Sequence, residues 1–206
     1  MLLVVSNEGV SLMEIPLFPL STVVLPGGQL PLRLFEPRYI DMVKNCFKTD
    51  TGFGVCLIKD GRDSGAPAQP YPQGTLVKII DFDQGADGLL HITAEGRQEF
   101  NLLTYAANSD DLLIGEVQML EVSDPTQMNT SYNELSDKLA VILQYVEPNI
   151  KYAEKKLDNP EWICNRLLEL LPLSAASKFE LLQLPDTRSR LDALVGLQIE
   201  FTNAQS

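Results

Sequence analysis

The sequence predicts an α+β fold, a β-rich half followed by a helical half, with the change of texture near residue 124. Three observations carry this. Between Phe53 and Val122, short apolar runs alternate with turns rich in Gly, Asp and Pro, at the spacing of strands. From Asp124 onward, capping residues and prolines bracket apolar stripes of helical period. Ahead of both stands IPLFPLSTVVLPGGQLPLRLFEPRY, Ile15–Tyr39, an apolar ribbon with five prolines, which exclude a long helix or a central strand.

Within that ribbon Glu14–Phe18 and Thr22–Leu25 read as short strands, and Pro26-Gly27-Gly28 as a turn with positive φ available. Gln29–Leu34 resumes an extended path, with Pro31 tolerable only at an edge or bulge. Pro37 suits the first position of a helix, Glu36 its positive end, and Ile40, Val43 and Phe47 its inner face. Phe53–Ile58, Leu76–Phe82, Leu89–Ala94, Arg97–Thr104 and Leu112–Val122 complete six or seven strands. Gly61–Gly74 reads as a loop and Asp83–Gly88 as a hairpin connection. A small barrel or sandwich fits this set, because closure removes exposed edges.

In the second half Asp124-Pro125 opens a helix with the stripe Tyr132, Leu135, Leu139, Ile142 and Val146, ended by Pro148. Asn159-Pro160 starts another, with Ile163, Leu167 and Leu170 inside. Ser174 caps a third carrying Phe179 and Leu182. Asp186 caps a fourth with Leu191, Leu194, Val195 and Ile199 on one face.

Composition narrows the function. The net charge is −12, and residues 1–125 hold 17 acidic against 8 basic side chains. That balance disfavours a general nucleic-acid role, which needs Lys and Arg against phosphate. No apolar run reaches the roughly 20 residues of a membrane span, and MLLVV is too short for a signal core, so a cytoplasmic protein with no membrane partner is expected. Cys46, Cys56 and Cys164 form no CxxC pair and sit among apolar neighbours, as buried free thiols would. No metal or cofactor is expected.

Catalytic patterns are sparse. No GxxxxGK[ST] phosphate loop occurs. Ser177 and Lys178 are adjacent, so on a helix they diverge and make no dyad. His91, the sole histidine, alternates with Ile92 and Ala94 and should face outward. Asp81/Asp83 and Asp110/Asp111 border turns without an EF-hand pattern.

The run Ile15–Tyr39, then GTLVKIIDF (Gly74–Phe82), ITAEGRQEF (Ile92–Phe100) and LLELLPLSAASKFELLQLPDTRSRLDAL (Leu167–Leu194), resembles the N-terminal substrate-binding domain of Lon proteases. The likeness covers about residues 13–200, in the family's order, with GRQEF departing from the family's tighter spacing. It implies a PUA-like pseudo β-barrel (residues 1–123) followed by a C-terminal α-helical bundle (residues 124–206). Family members begin near MEIPLFPL, so residues 1–12 read as an upstream extension. The resemblance implies a non-catalytic module that binds protein or unfolded polypeptide segments, as an adaptor or regulator of protein turnover, without the ATPase and peptidase parts. RNA binding, common among PUA-like barrels, is the alternative.

A peptide site needs an apolar groove or open strand edge with a few polar groups. Phe35, Glu36, Arg38 and Tyr39, at the strand-to-helix junction, are the candidates; a core Tyr39 and a local Glu36–Arg38 cap and ion pair are the structural reading of the same residues. The groove between the halves is the second location, with Trp162 either its anchor or the residue stacked between the halves.

Overall fold

The computed structural model describes residues 3–5, 11–121, 125–146, 152 and 154–197. Five strands close a ring. β2 (Ser11–Leu20) runs parallel to β4 (Phe53–Asp60), which pairs with β5 (Gln69–Gln84), then β6 (Leu90–Ala107), then β7 (Leu113–Met119), and β7 returns to β2. β1 (Leu3–Val5) adds to β2, and β3 (Gln29–Leu34) adds to β6 as an outer strand. A parallel pair needs a crossover, and β3 with α1 (Pro37–Thr49) supplies it between β2 and β4.

Against the expectation that such prolines exclude a central strand, β2 carries Pro16 and Pro19 and still has β7 and β4 as neighbours. Pro16 lies between the stretches of β2 paired to β1 and to β4, Pro19 lies beyond the stretch paired to β7, and Pro31 is on the outer strand. Each therefore stands where its strand has a neighbour on one side only, so the missing donor interrupts no two-sided ladder.

The ring is narrow, and its interior shows how it is filled. Leu17 and Phe100 are fully buried among Ile15, Cys56, Leu102, Leu113 and Val117. A Cβ at Gly54 would stand 2.8 Å from both Leu17 and Phe100, and one at Gly115 would stand 2.7 Å from Leu17 and Leu102. The facing glycines make the room that the two large side chains take. A second cluster lies between the outer part of the sheet and α1, which buries Tyr39, Met42, Val43 and Cys46.

Several local expectations are corrected. Thr22–Leu25 forms no strand; its Leu25 N–H goes to the Glu169 carboxylate at 2.6 Å. The following turn is as expected, with Gly27 at φ 76° and the Gly28 N–H donating to the Leu25 carbonyl. The stretch from Gln69 onward belongs to β5 rather than to the loop, and β6 runs unbroken through Gly96. Phe47 is 44% exposed and meets the exposed Phe82 edge-on at 4.9 Å instead of facing inward.

The helical half comprises α2 (Thr130–Val146), α3 (Pro160–Leu170), α4 (Ala175–Leu182) and α5 (Thr187–Gly196). Asn159, Ser174 and Asp186 cap α3, α4 and α5 by accepting the N–H groups of Trp162, Ser177 and Ser189. α2 begins later than expected, where the Asn129 side chain accepts the Tyr132 N–H. Asp124, Pro148 and Ile199 lie outside the described residues. Val195 is exposed rather than inward, while Leu191 and Leu194 are fully buried.

The halves share one apolar cluster: Val23, Leu25 and Leu57 from the β side pack with Leu135, Leu139, Trp162, Ile163, Leu167 and Leu168. Charged side chains fix the joint. Arg166, with no exposed surface, donates to Glu169 from Nε (2.7 Å) and from a terminal nitrogen (2.9 Å), and reaches the Pro26 carbonyl at 3.2 Å. Arg190 grips both oxygens of Glu99 on β6 at 2.8 and 3.0 Å. Such two-pronged Arg–carboxylate pairs set relative orientation as well as adding attraction.

Candidate functional site

Glu36 ends the extended segment and Pro37 opens α1, so the next residue turns its side chain back under the helix start. That residue, Arg38, is almost buried and acts as a hub. Its terminal nitrogens donate to the Asp111 carbonyl (2.8 Å), the Gly65 carbonyl (2.7 Å) and the Glu36 carboxylate (2.8 Å), and the guanidinium lies 4.7 Å from the Tyr39 ring centre. Two loops distant in sequence are thereby tied to the helix. Glu36 makes the ion pair but no capping hydrogen bond. Tyr39 is 6% exposed and stacks on Phe18 at 3.8 Å, and its burial pushes the phenol pKa up. Phe35, at 59% exposed, stands out to solvent.

Beside this hub a groove of about 480 Å³ runs between α1 and the turn joining β6 to β7. Pro16, Met42, Leu112 and Ile114 give it an apolar floor; Arg38, Asp41, Asn45 and Asp110 are among its polar rim. It adjoins a second hollow of about 560 Å³ on the outer face of β2, β7 and β6, since Asn108 and Ile114 line both. Of the residues lining the two hollows, sequence reading named Arg38 for the site and missed the rest, because the grooves are built from distant segments. The available signal was the apolar side chains on both faces of β2: Ile15 and Leu17 point inward, while Leu12 and Pro16 alternate with them.

The cleft between the halves, about 220 Å³, is mostly polar and charged, with Glu99, Arg190, Asn165 and Thr187 among its lining. Trp162 does not line it. It is 8% exposed, meets Tyr152 edge-on at 5.6 Å and belongs to the cluster joining the halves. The structure thus joins Glu36, Arg38 and Tyr39 at one junction, leaves Phe35 exposed beside them in the chain, and places Trp162 in a separate core.

The groups that could do chemistry do not converge. His91 is on the surface, 3.3 Å from Asp87, whose carboxyl is held low first by the Leu89 N–H. Ser177 bonds the Ser174 hydroxyl, whereas Lys178 reaches the Glu169 carbonyl at 2.8 Å. Cys56 and Cys164 are pushed up to about 12 by burial, so they are not poised nucleophiles. Among the described residues no three His, Cys, Asp or Glu side chains cluster as a metal site, and no helix is long and apolar enough to cross a membrane.

A closed five-stranded barrel joined to a helical bundle, with grooves on its outer wall, defines an α+β domain of the PUA-like barrel class. A family model described as the ATP-dependent protease La (LON) substrate-binding domain matches residues 14–197, and the chain belongs to that family. It is similar to the crystal structure of a Lon N-terminal domain protein from Xanthomonas campestris, with 36% identity and a TM-score of 0.73, covering 89% of this chain and 98% of that one. The N-terminal domain of Mycobacterium avium complex Lon protease shares the fold at 18% identity and a TM-score of 0.61, covering 89% of this chain and 97% of that one. Lon protease of Buchnera aphidicola is 24% identical over 206 residues, covering 93% of this chain and 26% of that protein. Cereblon of Gallus gallus is 31% identical over 110 residues, covering 52% of this chain and 24% of that protein. The chain spans about a quarter of the length of these curated relatives, 26% and 24%.

Proposed function

We propose that this protein binds extended segments of other polypeptides without processing them, in the groove between α1 and the β6–β7 turn. The observation that carries the reading is the match of residues 14–197 to a substrate-binding domain. The groove supports it: an apolar floor accepts side chains, and a polar rim can meet the peptide backbone. Arg38 and Pro37 line the groove, and Phe35 is exposed two residues ahead of Pro37. Tyr39 and Trp162 contribute by holding the two cores. The names of the relatives support a role in handing bound segments to protein turnover.

Binding of fluorescently labelled casein, followed by anisotropy, tests this. Asn45→Trp puts a bulky plug on the groove rim from an exposed position, and Tyr145→Ser alters a 79% exposed site on α2 as a control. The parent and Tyr145→Ser should bind alike and Asn45→Trp weakly. A parent that fails to bind, or a plugged variant that binds as well as the parent, refutes the proposal.

A further inference from the structure

Building on that reading, we infer that the adjoining hollow on the outer face of β2, β7 and β6 selects basic segments: extended chains with apolar side chains around a lysine or arginine. Three cross-strand rows build this face. Pro16, Ile114 and Ala106 form one; Glu14, Glu116 and Thr104 form the next; Leu12 and Gln118 lie beyond. Directly opposed residues of an antiparallel pair share a face, so Glu14 and Glu116 are neighbours on this one. Like charges in that position repel. Glu116 accepts only a long 3.5 Å bond from Thr104, and no described Lys or Arg lines the hollow to offset the pair.

Around the acidic pair the lining is largely uncharged: Leu12, Met13, Tyr105, Ala106 and Ile114. An extended visitor with apolar side chains would cover these, and a cationic side chain between them would sit on the two carboxylates. The net charge of −12 favours the same approach from a distance. A basic guest thus meets two acidic side chains that no described cation lining the hollow offsets.

The test uses the full chain and three labelled extended peptides in which every second residue is valine except the central one of that series, which is lysine, glutamine or glutamate. The lysine peptide should bind tightest, with an advantage over the glutamine peptide that shrinks with added salt. Glu116→Gln and Glu14→Gln should each weaken the lysine peptide by up to about five-fold, a surface ion pair's worth, and leave the glutamine peptide unchanged. Each substitution should also raise the melting temperature of the free protein, a gain in stability paired with a loss of binding that a purely structural role does not produce. Equal binding of the lysine and glutamine peptides, unmoved by either substitution, overturns this inference and leaves polypeptide binding standing. Failure of all three peptides while casein still binds at the α1 groove also overturns it. Self-association through this face, seen as concentration-dependent sedimentation without peptide, does so too.

Discussion

Replacing Glu169 with glutamine tests how the halves are joined. The Glu169 carboxylate accepts the Leu25 N–H at 2.6 Å and two Arg166 nitrogens at 2.7 and 2.9 Å. Burial pushes its pKa up, while Arg166 and the Leu25 N–H pull the other way. A glutamine side chain there would keep the shape and lose the charge, leaving the Arg166 guanidinium enclosed without a counter-ion. Breaking one side of a buried ion pair costs about 3 to 5 kcal/mol. For a chain of 206 residues that lowers the melting temperature by roughly 10 °C. Removing both charges in Arg166→Met/Glu169→Leu should cost less than Glu169→Gln alone, because the enclosed guanidinium leaves together with its partner. Thermal and urea unfolding monitored by circular dichroism give both comparisons. A Glu169→Gln protein within about 1 kcal/mol of the parent would refute the reasoning, since that is the scale of an exposed pair.

Two further outcomes follow from the ionisable groups. Cys56 and Cys164, raised to about 12 by burial, should resist a thiol reagent at neutral pH in the native protein, whereas all three cysteines react in urea; fast native labelling at either would contradict their placement. Asp186 accepts the Ser189 N–H, which holds its carboxyl below the ordinary range. The unfolded chain takes up that proton first as pH falls, so the cap's contribution is whole above the unfolded value and fades as pH drops through the native one. Asp186→Asn caps without titrating, so below about pH 4 the parent should lose more melting temperature than the variant; parallel losses would contradict this.

What was legible in the sequence was local. Asn159, Ser174 and Asp186 announce their helices because a cap and its first turn are neighbours in the chain. Pro37 does the same for α1. The family likeness read from Ile15–Tyr39 and the later motifs is upheld by the match over residues 14–197. What was hidden depends on contacts between distant segments. Phe47 has the right spacing for the core, but the buried face of α1 is centred on Tyr39, Met42, Val43 and Cys46, leaving Phe47 at its margin. Arg166 and Glu169 look like the polar side of α3 until the Pro26 turn closes over them. Gly96 looks like a strand break, yet it continues β6 where the Leu25–Pro26 backbone passes too close for any Cβ. The grooves share this difficulty, since β2, α1, β6 and β7 meet there only after the barrel closes.

The most direct measurement is an amide chemical-shift map of the isotope-labelled chain titrated with an unfolded, unlabelled polypeptide. Saturable shifts confined to α1 around Met42–Asn45, the Asn108–Ile114 turn and the outer face of β2 are the predicted result. Shifts gathered instead along α2, or none at all at saturating polypeptide, would contradict the claim that this wall of the barrel receives other chains.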